Sequence, residues 1–164
     1  MKANYFKIST QLGAIMLLLF MFFSCTSENE QKNSTIVYNN TEQMVAAAKD
    51  LVSEITVPDF KNIYTRDGIY IIDVRTLEEN RSGAVPGAVN IPRGLLEFRI
   101  NTDEIWQASG RKAPQKTDPI FVYCSTGGRG ALSAKALMQL GYTNVKSMQG
   151  GWNAWHETYP DISE

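Results

Sequence analysis

Apolar positions recur along this chain at two different spacings. Met44, Ala47, Ala48, Leu51, Val52 and Ile55 repeat every three or four residues and predict a helix with one buried face. Asn40 reads as its N-cap, with Gln43 at the third helical position. Ile36-Val37-Tyr38, just before, reads as a short strand. Apolar, β-prone runs at 69–74, 119–123 and 145–148 read as strands, because short apolar runs bounded by turn residues are the mark of buried parallel strands. Helical signals lie near 76–81, 94–108 and 131–140, with Gly141 where a C-terminal cap is expected. Strands alternating with helices predict an α/β fold, a central, mainly parallel sheet joined by right-handed crossovers and flanked by helices on both faces. Ligands of such sheets bind at the carboxyl ends of the strands.

One strand end stands out for its chemistry. Ile120-Phe121-Val122-Tyr123 runs into Cys124, then Ser125-Thr126-Gly127-Gly128-Arg129-Gly130, then a helix. At such a crossing, successive backbone N–H groups can curl into a concave anion-binding nest. Free thiols ionise near pH 8.5, and those at helix N-termini or beside cations commonly near 3.5–7.5. A cysteine packed only as a small apolar side chain needs neither three nearby glycines nor an arginine. Cys124 therefore reads as a nucleophile, with residues 125–130 as its nest.

Spacing narrows the chemistry. Four residues separate Cys124 from Arg129, one fewer than in the Cys-x5-Arg loop of the cysteine phosphatases. The next position is Gly130, which has no side chain to offer. The smaller ring suits a single sulfur atom carried on Cys124. Here the chain resembles the rhodanese-like sulfurtransferases, whose Cys-x-x-Gly-x-Arg loop is matched by Cys124, Gly127 and Arg129. Ile69 to Arg75 is similar to the family's strand ending in Asp-Val-Arg, and Glu78 and Glu79 follow where acidic residues usually follow. Gly83 to Pro92 resembles the motif Gly-His-Ile-Pro-Gly-Ala-x-Asn-Ile-Pro, with Ala84 in place of the histidine. Gly150 to Trp155 resembles the closing Gly-Gly-x-x-x-Trp. The four blocks keep the family's order over roughly residues 40 to 160. That histidine is read as structural, so Ala84 is expected to weaken packing more than chemistry. Pro86-Gly87 reads as turn chemistry.

The first 24 residues form a separate object. Lys2 and Lys7 precede an apolar run from Leu12 to Phe23, interrupted only by Gly13. Twelve helical residues rise about 18 Å, short of the roughly 30 Å bilayer core, so the run reads as the core of a signal peptide. Phe22-Phe23-Ser24-Cys25 resembles a bacterial lipobox and makes Cys25 the expected site of lipidation. Acyl chains there would give stable anchoring. Residues 25–39, polar and rich in Ser, Thr, Asn, Glu and Gln, read as a flexible tether, and 40–160 as the folded domain. The expected location is the bacterial envelope, facing the periplasm or the cell surface.

Charge and the remaining residues trim the possibilities. With 16 Lys and Arg against 17 Asp and Glu the chain is nearly neutral, and removing residues 1–24 takes two lysines and leaves 14 against 17. A mildly acidic balance without basic clusters argues against nucleic acid as a partner. With Cys25 lipidated, Cys124 is the only free thiol. No Cys-x-x-Cys, histidine cluster or phosphate-type glycine loop suggests a metal or a cofactor. His156, the single histidine, is discounted as a base. Asp73 and Arg75 are expected to tie loops together, Trp152 and Trp155 to pack in the core, and Arg93 and Arg99 to lie at a pocket rim, with Arg93 carried as a donor-binding candidate.

The resemblance thus implies a sulfurtransferase. Cys124 would carry sulfur from thiosulfate or a small persulfide to a thiol or cyanide, with Arg129 catalytic and Ser125, Thr126, Gly127, Gly128 and Gly130 binding substrate. With no resolving cysteine the acceptor comes from outside, and a thioredoxin-like protein is a candidate. Two other classes stay open: a non-catalytic sulfur- or partner-binding module, and a cysteine phosphatase or arsenate reductase.

Overall fold

Asn40 opens the first helix. The amide of Gln43 donates to its Oδ1 at 2.9 Å, while Gln43 Oε1 reaches back to the amide of Asn39. The structure is a computed structural model that describes residues 35–164. The apolar run, Cys25 and most of the tether lie outside the described residues. Ile36–Tyr38, expected as a strand, is irregular.

In chain order the elements are α1 (Thr41–Lys49), β1 (Ser53–Ile55), α2 (Val57–Lys61), β2 (Tyr70–Asp73), α3 (Leu77–Arg81) and β3 (Val89–Asn90). A 3₁₀ turn (Arg93–Leu95), α4 (Leu96–Arg99), α5 (Asp103–Gln107), β4 (Ile120–Tyr123), α6 (Gly128–Gln139), β5 (Val145–Met148) and α7 (Gly151–Thr158) follow. The five strands form one sheet in the order β1-β5-β4-β2-β3, and every neighbouring pair is parallel. The three predicted longer strands stand in its middle.

Alternation along the strands divides the core. Ile72 and Val122 turn to one face, where they pack with Ala48, Ala131, Ala134 and Leu137 of α1 and α6. Ile71, Phe121 and Tyr123 turn to the other and meet Phe60 of α2 and Trp155 of α7. Helices therefore cover both faces, as β2 and β4, buried at all four positions each, require.

Three predicted spans differ from those observed. The helical spacing from Met44 to Ile55 breaks at Lys49: Leu51 is 60% exposed, and Ile55 belongs to β1. The span 94–108 is interrupted at residues 100–102, because the Trp106 indole donates to the carbonyl of Ile100 at 3.0 Å and the chain must fold back to bring them together. The helix expected from Ala131 begins at Gly128. Gly87, with φ +79°, sits in the expected turn, closed by the Ala88 amide on the carbonyl of Val85. Past residue 160 the chain stays tied in: Ala84 and Glu164 exchange backbone hydrogen bonds, and the Trp155 indole donates to the carbonyl of Ile162.

Candidate active site

Cys124 directly follows β4, at the carboxyl edge of the sheet, and is 1% exposed. The chain then turns through Gly127, whose φ of +100° few side chains tolerate. The turn brings the Gly127 amide to 3.2 Å from Cys124 Sγ, as donor. Gly127 is also the N-cap of α6 and supplies no capping side chain. Among the described residues, the amides of Gly128, Arg129 and Gly130 in the first turn have no hydrogen-bond acceptor. Free amides and the positive end of a twelve-residue helix thus stand beside the sulfur.

The loop's carbonyls are held on its other side. The amides of Trp152 and Asn153 donate to the carbonyls of Cys124 and Ser125, at 2.7 and 3.0 Å. This docking of α7 depends on Gly151, since a Cβ there would collide with the carbonyl of Cys124 and with Ser125. Gly150, at φ +69°, has a Cβ position only 2.5 Å from that of Ala154. The two glycines let the start of α7 close over the back of the loop, so its N–H groups face inward.

Arg129 is fixed by a carboxylate. Its Nη1 donates to Glu79 Oε2 at 2.9 Å and its Nη2 to Glu79 Oε1 at 2.6 Å. Nη2 also donates to Ser125 Oγ, whose hydroxyl donates to Glu79 Oε1 at 2.7 Å. Glu79 is preset by the capping box of α3, where its Oε2 accepts from the amide of Thr76 and its own amide donates to Thr76 Oγ1. Hydrogen bonds from Arg129 hold the Glu79 carboxyl well below the usual carboxylate range, against the opposing effect of burial. Those bonds to Glu79 raise Arg129 in turn, and nearby Cys124 adds in the same direction.

Under the neighbouring strand end lies a second ion pair. Asp73 and Arg75 are 0% and 3% exposed and join through Nη2–Oδ2 at 2.7 Å and Nε–Oδ2 at 3.0 Å. Asn80 Nδ2 donates to the same Oδ2, Arg75 Nη2 donates to the carbonyl of Gly83, and the guanidinium stacks 4.9 Å from the Trp152 ring. The pair links β2, α3, the 83–85 turn and α7, the parts that hold the loop from below. Tyr123 joins them by accepting the Val85 amide, and burial above all pushes its phenol well above the usual range.

Not every sequence candidate reaches the loop. Thr126 is exposed at its tip. Gly130 is buried against the sheet, its Cβ position 2.9 Å from Ser147 Oγ and 3.5 Å from Tyr123 Cα, so its small size serves close packing. Arg93 is paired with Glu97 at 2.8 Å and makes no hydrogen bond to the loop. Arg99 is exposed. His156 is exposed and stacks on Trp152 at 5.2 Å. The methyl of Ala84 is buried, and its main chain is fixed by Glu164.

A sequence profile described as a rhodanese-like domain matches residues 56–158. The chain belongs to the rhodanese-like family. It is 34% identical over 103 residues to a rhodanese domain-containing protein of Drosophila melanogaster, covering 61% of this chain and 93% of that one. It is 28% identical over 106 residues to the human thiosulfate:glutathione sulfurtransferase, covering 63% and 92%. The structure of a human single-domain sulfurtransferase superposes with a TM-score of 0.58 at 26% identity, over 65% of this chain and 96% of that one. That of a Rhodopseudomonas palustris protein of unknown function, titled a possible tyrosine phosphatase, superposes with a TM-score of 0.62 at 26% identity, over 76% and 95%. Relatives named sulfurtransferases thus place this rhodanese-like domain in a sulfurtransferase family.

Three features of the rhodanese-like loop carry no local signal in the sequence. Glu79 shows there as one of two acidic residues after β2, with nothing to pair it with Arg129, fifty residues away. Gly151 shows as part of a glycine motif, with nothing to mark it as the contact that sets the loop's carbonyls. The spacing of α1 does not tell that its end lies beside the loop. A Cβ on Gly128 would stand 3.5 Å from Val45, and one on Gly127 4.0 Å from Lys49 Nζ.

Proposed function

We propose that this protein is a sulfurtransferase that carries sulfane sulfur on Cys124. The observation that carries the reading is the Gly127 amide 3.2 Å from Cys124 Sγ, beside the unpaired first-turn amides of α6. In the first half-reaction the Cys124 thiolate attacks the outer sulfur of thiosulfate or a small persulfide. The donor's S–S bond breaks, sulfite or a thiolate leaves with the electron pair, and Cys124 becomes a persulfide. The amides offer hydrogen bonds to the anionic terminal sulfur. In the second half-reaction an external thiolate or cyanide attacks that sulfur, gains it as a persulfide or thiocyanate, and releases the Cys124 thiolate. Arg129 fixes the loop through Ser125 and Glu79 and contributes positive charge near the sulfur.

The short ring and the engaged fork of Arg129 favour sulfur over phosphate. A phosphate dianion would compete with Glu79 for the same donors, with one residue fewer to encircle it. The presence of both Cys124 and Arg129 favours an enzyme over a non-catalytic module. We further propose that the domain works from the bacterial envelope on a lipid anchor at Cys25.

Initial rates at varied thiosulfate and cyanide test the mechanism. Double displacement gives parallel reciprocal plots, and intersecting lines or hydrolysis of aryl phosphate at comparable rates would contradict it.

A further inference from the structure

We propose that Lys49 is a positioning residue of the sulfur loop, its ammonium favouring negative charge on Cys124 from behind Gly127. The inference rests on the reading of Cys124 as nucleophile. Lys49 ends α1, and its Nζ lies 4.0 Å from where a Cβ on Gly127 would stand. The Gly127 amide in turn touches Cys124 Sγ. Bond lengths along that path put the ammonium within about 10 Å of the sulfur. Its counter-charge is held loosely: Glu54 Oε1 is 3.5 Å away, and that buried oxygen has no hydrogen-bond partner among the described residues. Glu54 and Ser147 are paired in register on adjacent strands, and Ser147 Oγ, also without a partner, lies under Gly130. Beneath the loop, then, lies a polar row of Lys49, Glu54 and Ser147, with the positive end closest to Gly127.

Other charged groups at this end of the sheet are already engaged. From α6 comes Arg129, tied to Glu79 of α3 by two direct hydrogen bonds. From beyond β2 comes Arg75, neutralised by Asp73. Arg93 is neutralised by Glu97, and His156 of α7 lies stacked on Trp152. In each of these ion pairs a direct hydrogen bond ties cation to anion, whereas the Lys49–Glu54 pair has none. Removing either member therefore changes the charge the loop feels, and the two removals act in opposite directions. At this separation one charge moves a titration by about half a pH unit.

The test is the pH profile of Cys124 alkylation by iodoacetamide in the full chain, read on the Cys124 peptide by mass so that Cys25 does not contribute. Lys49→Met is expected to raise the midpoint by about half a unit and Glu54→Gln to lower it. The double variant should return close to wild type, and Lys49→Arg should keep the wild-type midpoint. A purely structural role would slow alkylation in all variants without opposed shifts. An unmoved midpoint in Lys49→Met, or shifts of the same sign in both single variants, overturns the proposal. Should Lys49→Met fail to fold, the sign of the Glu54→Gln shift decides. If wild-type Cys124 takes no sulfur from thiosulfate while the opposed shifts appear, the sulfurtransferase reading falls and the role of Lys49 stands.

Discussion

Arg129 and Glu79 meet in a two-pronged hydrogen-bonded pair, at 2.6 and 2.9 Å, that spans fifty residues of sequence and closes around Ser125. The arginine of the loop is thus set by a helix cap on a different strand connection. The two side chains form one unit, so their effects on the rate should not add. Arg129→Ala is expected to lower kcat/KM for thiosulfate by about 10²-fold, in the range for losing a preorganised donor. Glu79→Ala should fall short of that, and the double variant should be no worse than Arg129→Ala. Arg93→Ala, whose side chain is paired with Glu97 away from the loop, should change the rate least.

The same pair gives a pH dependence of stability. The folded-state value of Glu79 is depressed by Arg129. Its contribution is therefore complete above the unfolded value of about 4.3 and is lost progressively as pH falls from there through the lower folded value. The group is one-third exposed, so the contribution should be about 1 kcal/mol or less. Urea unfolding of wild type and Glu79→Gln should differ at pH 7 and converge on acidification below 4. A gap that widens with acid would contradict the assignment.

Gly151 offers a steric test. Its φ of +60° and the collision awaiting a Cβ against the carbonyl of Cys124 predict that Gly151→Ala lowers both stability and activity. The expected loss is about 1–3 kcal/mol. Gly94→Ala, where a Cβ meets nothing within 4 Å, is the matched control and should be close to neutral. Thermal melts and rates of the two variants check this.

Much of the fold was readable because the relevant signals are local. Ile120–Tyr123 is apolar at every position and ends in glycines, so β4 and the loop after it announce themselves. β1 did not, because a three-residue edge strand leaves Glu54 partly exposed and continues a helical spacing that Ala48 and Val52 satisfy. Glycine hid two helix starts. Gly128 and Gly130 carry poor helix propensity, Gly130 because Ser147 leaves no room for a Cβ, and Gly150-Gly151 masked the beginning of α7. In the site, Cys124 and Arg129 were legible from spacing. Glu79, Gly151 and Lys49 were not, because their relation to the loop exists only after the sheet brings distant segments together.

The buried Asp73–Arg75 pair should behave differently from the exposed one. Asp73→Ala leaves the Arg75 guanidinium without its counter-charge in a nearly dry site, which typically costs about 3–5 kcal/mol. Equilibrium urea unfolding should show that loss, well beyond the effect of Glu79→Ala. An equal or smaller effect would mean the pair is not the anchor beneath the loop.

The proposed placement in the bacterial envelope rests on acylation of Cys25. Wild-type protein is expected in the membrane fraction, with the Cys25→Ala variant released from it. Fractionation followed by mass analysis of the N-terminus checks this, and anchoring that survives loss of Cys25 would reject it.

The central claim is that Cys124 holds the sulfur in transit. Intact mass after exposure to thiosulfate tests it most directly. The wild-type chain should gain one sulfur atom, lose it on adding cyanide or a small thiol, and gain none as Cys124→Ser. A wild type that takes up no sulfur, or a serine variant that takes it up equally, would contradict the account.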